Sequence, residues 1–533
     1  MKSTNLASNK DCPSVSPTSS GSLNRPDTDV ETSAVIAADV KLLAHFGYKQ
    51  ELRRKMNRFS NFAISFSIIC ILAGGITSLQ QGTSGIGGAS VLIVWTLGSF
   101  ISLFVAMTMA QVASAFPTAG GLYHWSSILG GRGWGWATGW FNLIGLYFMT
   151  AAVNVGTYTL FINIVLPLIG IDPTKLTLVH QAMGMVIITG SHALFNHRGI
   201  RVTKVLTDFS GYLIFVVAVT LTLAMYFYAP SHDFGRFFRI ENFSGAPGGD
   251  VWPANGSIFC LILMGLLWPM YTIIGFDASA HTSEETIGAA QHVPRGIIDS
   301  VYLSGIFGFA MVAAFVLAFP SVQDGAKQGA NVFFWLMDSV IPRKLKIALE
   351  ISIVVSNYLC GLACLTSTSR MTFAFARDGG LPKLLKRVSP KFGVPSAAIW
   401  IGAAMIIGST IYTPVYTTLT AASVILLYIS YVMPTTVGIF VYGTERWKEM
   451  GPFNLGRTMY RTLGVFAILG VIAVTYGGIQ PPNRPTLPVL IGLSAFLTFS
   501  WYCLGERKRF AGPPINSAVH RPPYGQNTPA ASR

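Results

Sequence analysis

The stretch "WPMYTIIGFDASAHTSEET", Trp268 to Thr286, starts as an apolar helix and then gathers Asp277, His281, Glu284 and Glu285 within little more than two turns. Carboxylates beside an imidazole can do several kinds of chemistry. Asp277, His281 and Glu285 share a helix face at i, i+4, i+8, a row that resembles a set of metal ligands. A carboxylate inside an apolar segment can also pair an ammonium group, carry a proton, or cap a broken helix. These roles stay open for Asp277, the residue singled out first. Glu284 and Glu285 are expected at a solvated helix end. No metal site is expected, because a metal carrier would also want carboxylate or thioether ligands in the first span, and residues 73–77 offer none.

These side chains must be positioned by membrane helices. The 533 residues are 51% hydrophobic and only 11% charged, against roughly 25% charged in soluble domains. Apolar runs of about 20 residues, enough to cross the hydrocarbon core, recur near 62–80, 88–112, 134–164, 177–195, 205–229, 257–281, 299–320, 346–369, 396–413, 417–441, 460–479 and 486–504. This predicts an all-α polytopic membrane protein of about twelve spans. Residues 46–505 form the transmembrane domain, between a disordered tail over 1–45 and a second tail over 506–533.

The net charge of +15 reads as topology, because the basic residues sit at span ends rather than in the stripe a nucleic acid needs. Arg53, Arg54, Lys55 and Arg58 precede the first span, and Arg507, Lys508 and Arg509 follow the last. Both termini are therefore expected in the cytoplasm. Alternate loops agree, apart from Arg343, Lys344 and Lys346. Cys70, Cys260, Cys360, Cys364 and Cys503 lie in apolar runs and are read as packing residues. Asn242 with Ser244 and Asn255 with Ser257 fit the glycosylation pattern in a loop expected outside.

Two spans carry interruptions. In "IICILAGGITSLQQGTSGIGG" the pair Gly74-Gly75 falls where helix interior is expected, each glycine costing about 1 kcal/mol against alanine. Thr77 and Ser78 could take up freed backbone groups. The competing reading is close helix packing through small residues. Gly275 interrupts the sixth span two residues before Asp277. Interruptions at corresponding places in two halves point to an inverted-repeat transporter, with repeat one over about 60–230, repeat two over about 257–441, and extra helices at 460–504. Helix ends exposed by such breaks suit both ends of a zwitterion.

Other polar residues read as interhelical hydrogen bonds: Asn142, Tyr147, Asn154, Tyr358, Thr366 and Ser367. Asp208 and Lys204, one turn apart, read as an ion pair or as part of proton coupling. "QVASAFPTAGGLYHWSSILGG" is too polar to cross and reads as an amphipathic segment at the cytoplasmic surface.

Taken together, "ASAFPTAGGLYHW" (Ala113–Trp125), "IIGFDASAHTSEET" (Ile273–Thr286), "HVPRGI" (His292–Ile297) and "SRMTFAFARDGGLP" (Ser369–Pro382) resemble the amino acid–polyamine–organocation transporter superfamily. "GYKQELRRKMNRFSNFAISFSI" (Gly47–Ile68) is most similar to its amino acid/choline branch, which includes GABA permeases. The resemblance covers roughly residues 45 to 505. It implies a five-plus-five inverted-repeat (LeuT-like) core with two extra helices, working by alternating access. It implies a substrate carboxylate held by backbone N–H groups at Ala73, Gly74, Gly75, Ile76 and Thr77. The amine would lie near Ile274, Gly275, Phe276 and Asp277, with Phe276 closing over the substrate. The sequence has Ala-Gly-Gly-Ile where many relatives have Gly-Ser/Ala-Gly-Ile.

The expected function is secondary transport of GABA or a related amino acid, coupled to protons through Asp277 or Asp208, at the plasma membrane. No G-x-x-x-x-G-K-[ST] phosphate loop occurs, so ion gradients rather than ATP should drive it. No cofactor, metal, enzymatic activity or nucleic-acid partner is expected; the partners are the substrate, the coupling proton and the bilayer. A choline or polyamine carrier is the nearest rival. A nutrient receptor, or a membrane enzyme using His281 with Glu284 or Glu285, ranks below.

Overall fold

The computed structural model describes residues 26–245, 252–412 and 416–514. Among these, regular structure is helical, with one isolated bridge between Met56 and Thr286. In chain order the helices are α1 Pro26–His45, α2 Arg58–Ile69, α3 Ile71–Thr77, α4 Leu79–Ile86, α5 Thr96–Ala115, α6 Gly121–Gly130 and α7 Arg132–Leu168. Then come α8 Leu178–His197, α9 Ile200–Phe227, α10 Ile258–Gly265, α11 Leu267–Thr272, α12 Ala278–His281, α13 Ala289–Ala318 and α14 Val322–Ala326. The last are α15 Val332–Val340, α16 Arg343–Arg377, α17 Ser396–Tyr412, α18 Tyr416–Val441, α19 Arg457–Gly478, α20 Thr486–Tyr502 and α21 Glu506–Arg509.

Nine helical stretches among the described residues are long and apolar enough to cross a membrane, α2 with α3 making one. Three shorter apolar helices, Ile258–Thr272, Ser396–Thr410 and Thr486–Tyr502, fall on the sixth, ninth and twelfth expected spans. The chain is an all-α polytopic membrane protein.

The first and sixth spans run antiparallel, side by side. Asn61 Nδ2 donates to Ser279 O (3.0 Å) and Ser65 Oγ to Phe276 O (2.9 Å). Further along, a Cβ on Gly74 would lie 2.7 Å from Thr272 Cα, and one on Gly82 would lie 2.2 Å from the Trp268 ring. Rising numbers in one span meet falling numbers in the other, the relation that two inverted halves require.

Two expectations are corrected. Residues 26–45 are not a disordered tail: α1 is helical, Leu43 is 2% exposed, and Asp39 accepts the Gly288 N–H at 2.7 Å. The Ser- and Pro-rich composition belongs to residues 1–25, which lie outside the described residues, and it masked the Ala-, Val- and Leu-rich run that follows. The segment around α6 does not lie on a surface. Leu122, Tyr123, Trp125 and Leu129 are all 0% exposed, because this short helix is packed on every side between α7, α18 and the N-terminal segment.

Both described ends of the chain meet on one face of the bundle: a Cβ on Gly47 would touch Pro514 at 3.1 Å, and the Phe510 ring packs on Phe375. This is called the terminal face below.

Candidate functional site

The first break lies at Cys70, not at Gly74-Gly75. Cys70 has φ 29°, the only positive φ outside glycine among the described residues, and it separates α2 from α3. Gly74 and Gly75 lie inside α3. They are small because partners press on them: Thr272 on Gly74, and the Met311 methyl 2.8 Å from a Cβ on Gly75, whose carbonyl accepts Trp268 Nε1–H at 3.2 Å. Close packing through small residues is therefore their role.

The second break falls where Gly275 predicts it. Its φ is +86°, and a Cβ there would lie 2.1 Å from Ile68 Cγ2 of the first span. Neighbouring helices satisfy the backbone groups freed here, as the absence of water in a bilayer demands. Tyr428 O–H donates to Ile273 O (2.6 Å), Ser65 O–H to Phe276 O (2.9 Å), and Gly275 N–H to the Tyr431 hydroxyl (3.2 Å).

A cavity of about 20 Å³ lies between the two breaks, room for about one water molecule. It is a narrow site. Of the residues the sequence proposes for substrate, Ala73, Gly74, Thr77 and Ile274 line it; Gly75, Ile76, Gly275, Phe276 and Asp277 do not. The Ala73 and Gly74 N–H groups are engaged by the Cys70 carbonyl (2.8 and 3.2 Å). Phe276 is fully buried, with its ring centroid 4.8 Å from that of Tyr431.

The remaining walls were not anticipated. Met149, Val153 and Gly156 of α7 and Asn357 and Cys360 of α16 face the cavity. Asn357 donates to Thr157 Oγ1 (3.0 Å), and its Oδ1 is buried without a partner. A lone asparagine in an apolar span was the available signal. No charged side chain lines the cavity, so a charged ligand there would meet backbone dipoles, amides and hydroxyls.

Asp277 points away from the cavity. It is 0% exposed and accepts from Tyr431 O–H (2.8 Å) and Asn142 Nδ2 (3.0 Å). His281 Nε2 lies 3.1 Å from its Oδ2. Asp208 is elsewhere, on α9 against the start of α2, accepting from Ser60 O–H at 3.0 Å. Lys204 makes no ion pair with it within 4.0 Å. The Asp277–His281–Glu285 row does not form a ligand set, since no cluster of three potential ligands exists among the described residues.

Glu284 and Glu285 are not solvated; both are 0% exposed. Glu285 takes a two-point bond from Arg370 (2.9 and 3.1 Å) and Glu284 one from Arg377 (2.9 and 3.1 Å). The sequence placed these carboxylates near a helix end, and only the packing of the N-terminal segment over them excludes water. Lys55 and Met56 N–H donate to Glu285 O, and the Arg54 guanidinium caps Ser283 O (3.0 Å) and Thr286 O (2.5 Å). Beside this latch, Asp378 accepts from Tyr48 O–H (2.6 Å) and from Tyr123 O–H. Burial pushes the Asp378 carboxyl above its ordinary range, against the pull of Arg377. The terminal face is thus sealed by buried ion pairs joining the sixth span to α16.

Sequence comparison follows the same boundaries. Residues 56–501 match the amino acid permease family. The chain belongs to that family. The permease is 31% identical over 507 residues to the amino-acid permease BAT1 homolog of Oryza sativa, covering 89% of this chain and 95% of that one. It is 30% identical over 512 residues to amino-acid permease BAT1 of Arabidopsis thaliana, covering 89% and 96%. A GABA-specific permease of Saccharomyces cerevisiae is 31% identical over 376 residues, 68% of this chain and 64% of that one. The permease is a multi-pass membrane transporter of the amino acid permease family, and its two broken spans and the cavity between them lie inside the matched region.

Proposed function

We propose that this permease is a secondary active transporter that carries GABA or a related amino acid by alternating access, coupled to protons. The observation that carries the reading is the narrow, charge-free cavity between two broken spans, lined in part by Ala73, Gly74, Thr77 and Ile274. Helix ends supply partial positive and negative charge without a fixed countercharge, which suits a ligand bearing one ammonium and one carboxylate. At about 20 Å³ the cavity must widen to admit substrate, and the Gly275 break supplies the joint. Ile76, Gly75, Gly275, Phe276 and Asp277 belong to the moving parts around it, with Phe276 turning inward as the site fills. The GABA assignment draws support from the yeast relative.

The basic span ends at the terminal face support a cytoplasmic orientation of that face, with the plasma membrane as the site of action. The latch over Glu284 and Glu285 is then the inner gate, shut in this structure. Proton coupling falls to a titratable group near the moving joint. Asp277 qualifies; Asp208, hydrogen-bonded at the base of the first span, is the more remote candidate.

Uptake of labelled GABA into proteoliposomes under an inward proton gradient tests the reading, with unlabelled amino acids, choline and putrescine as competitors. Gradient-dependent uptake inhibited by carboxylated amines is the expected result. Accumulation of choline or putrescine, with GABA excluded, would reject the zwitterion assignment in favour of a carrier for cations lacking a carboxylate.

A further inference from the structure

The hydrogen bonds around Asp277 and His281 fix the number of protons they hold. His281 Nδ1 lies 3.3 Å from the Ala119 carbonyl oxygen. A carbonyl only accepts, so Nδ1 carries a hydrogen. Asp277 Oδ1 accepts from Tyr431 O–H, and Oδ2 accepts from Asn142, whose other Nδ2 hydrogen goes to Ser430 Oγ (3.2 Å). What remains is the 3.1 Å contact between Asp277 Oδ2 and His281 Nε2. It needs one proton, resting on either atom: carboxylic acid with neutral imidazole, or carboxylate with imidazolium. In both forms the pair is neutral overall and every contact is made.

Remove that proton and the arrangement cannot be kept. A neutral imidazole beside an ionised Asp277 must choose. With its hydrogen on Nδ1, it turns the Nε2 lone pair toward a carboxylate oxygen. With its hydrogen on Nε2, it leaves the Ala119 carbonyl facing a lone pair. Either way a net negative charge stays in a site where Asp277 and His281 are both 0% exposed, an outcome that burial strongly disfavours.

We infer that Asp277 and His281 together bind the single coupling proton, and that the closed geometry of the sixth-span break requires it. This rests on the proton-coupled reading above and assigns its site. The pair is tied to both gates. Asp277 follows the Gly275 joint directly, while Ala119, which holds His281 through its carbonyl, donates its N–H to Glu284 Oε1 (3.2 Å) of the terminal-face latch. Loss of the proton therefore loosens the break and the latch in one step.

No other charge near the pair replaces it. Around α12, Arg370 and Arg377 of α16 are taken by Glu285 and Glu284, which follow α12 in the chain. On α6, Tyr123 donates to Asp378 and His124 meets Thr118. Tyr431 of α18 is the hydroxyl donor already counted. From α2 and α13 come Asn61, Ser65 and Gly296, none of them charged.

The test uses the native Cys360, buried in the cavity wall, as a reporter of opening. Full-length protein in proteoliposomes is treated with N-ethylmaleimide between about pH 5 and pH 9, a span chosen to bracket an ordinary imidazole, and Cys360 modification is followed by peptide mass spectrometry. Because the thiolate is the form that reacts, each rate is divided by that of Cys360 in the unfolded protein at the same pH, and this ratio should rise with pH by at most about tenfold per pH unit, the limit for one proton. It should become independent of pH in Asp277→Asn and His281→Gln. Tyr431→Phe, which removes one donor to the carboxylate, should move the midpoint to higher pH and serves if the other variants misfold. In parallel, stimulation of labelled-GABA uptake by a proton gradient should fall to a ratio of about one in Asp277→Asn and His281→Gln. A two-proton slope, or unaltered pH dependence in these variants, overturns the assignment. Wild-type uptake indifferent to the gradient, with pH-dependent labelling abolished by the variants, keeps the proton site and rejects coupled transport. Gradient stimulation equal in wild type and variants does the reverse.

Discussion

Removing either partner of the Arg370–Glu285 pair should cost far more than removing both. Each side chain is 0% exposed and the two share a two-point bond at 2.9 and 3.1 Å. Glu285→Gln leaves the guanidinium buried without a countercharge, and Arg370→Met does the same to the carboxylate. A broken buried pair typically costs about 3–5 kcal/mol, whereas replacing both ions with neutral groups is close to neutral. Part of the loss in Glu285→Gln is softened by Asn196 Oδ1, 3.3 Å from Arg370 Nη1. Each single variant should therefore lose about 3 kcal/mol, and the double variant should recover most of the summed loss, ending within about 1 kcal/mol of the wild type. The assay is unfolding of the purified protein in one detergent, the four proteins run side by side as a double-mutant cycle. The exposed Arg58–Asp299 pair, 56% and 43% exposed at 3.6 Å, is the control, expected to couple by less than about 1 kcal/mol. Strict additivity at Arg370–Glu285, within about 0.5 kcal/mol, would falsify the claim that this latch is a desolvated ion pair.

Three further outcomes follow from the geometry. Gly74→Ala places a methyl 2.7 Å from Thr272 Cα, a backbone atom that cannot swing aside, so the broken spans must part; a loss of about 1–3 kcal/mol and of uptake is expected, with unchanged uptake contradicting the close contact. His124, outside the spans and buried against Thr118 Oγ1, has its pKa lowered from 6.5 to about 3 by burial, with the Arg377 charge adding to the effect. The folded form then binds fewer protons than the unfolded one between these values, so stability is full above about pH 6.5 and falls as pH drops toward 3, by about 2 kcal/mol at pH 5; His124→Gln should flatten that slope in melts compared at pH 7.5 and pH 5. Met149→Ala enlarges the cavity wall opposite Ala73 and Gly74 and should improve competition by bulkier amino acids relative to GABA in uptake assays; an unchanged rank order would remove Met149 from the substrate wall.

The sequence by itself determined the membrane class, the number of apolar segments and the joint at Gly275, because each is local. A run of about 20 apolar residues has one low-energy medium, and a glycine before Asp277 is the cheapest way to take a positive φ. Family membership was legible for a related reason: the stretches from Ala113 to Trp125 and from Ile273 to Thr286 carry their identity in the order of their residues. Other features were decided by what packs against them. The sequence pointed to Gly74-Gly75 for a break and to Cys70 for packing; only the approach of Thr272 and Met311 assigned the glycines to packing, and only the backbone turn at Cys70 located the break. Glu284 and Glu285 look like a solvated helix end until the segment from Tyr48 to Met56 folds over them and Arg370 and Arg377 arrive from α16. Asp277 was legible as an expensive residue, but its hydrogen-bond partners come from α7 and α18, and that of its neighbour His281 from the loop before α6. Burial and pairing depend on atoms distant in the chain, so these properties exist only once the helices have assembled.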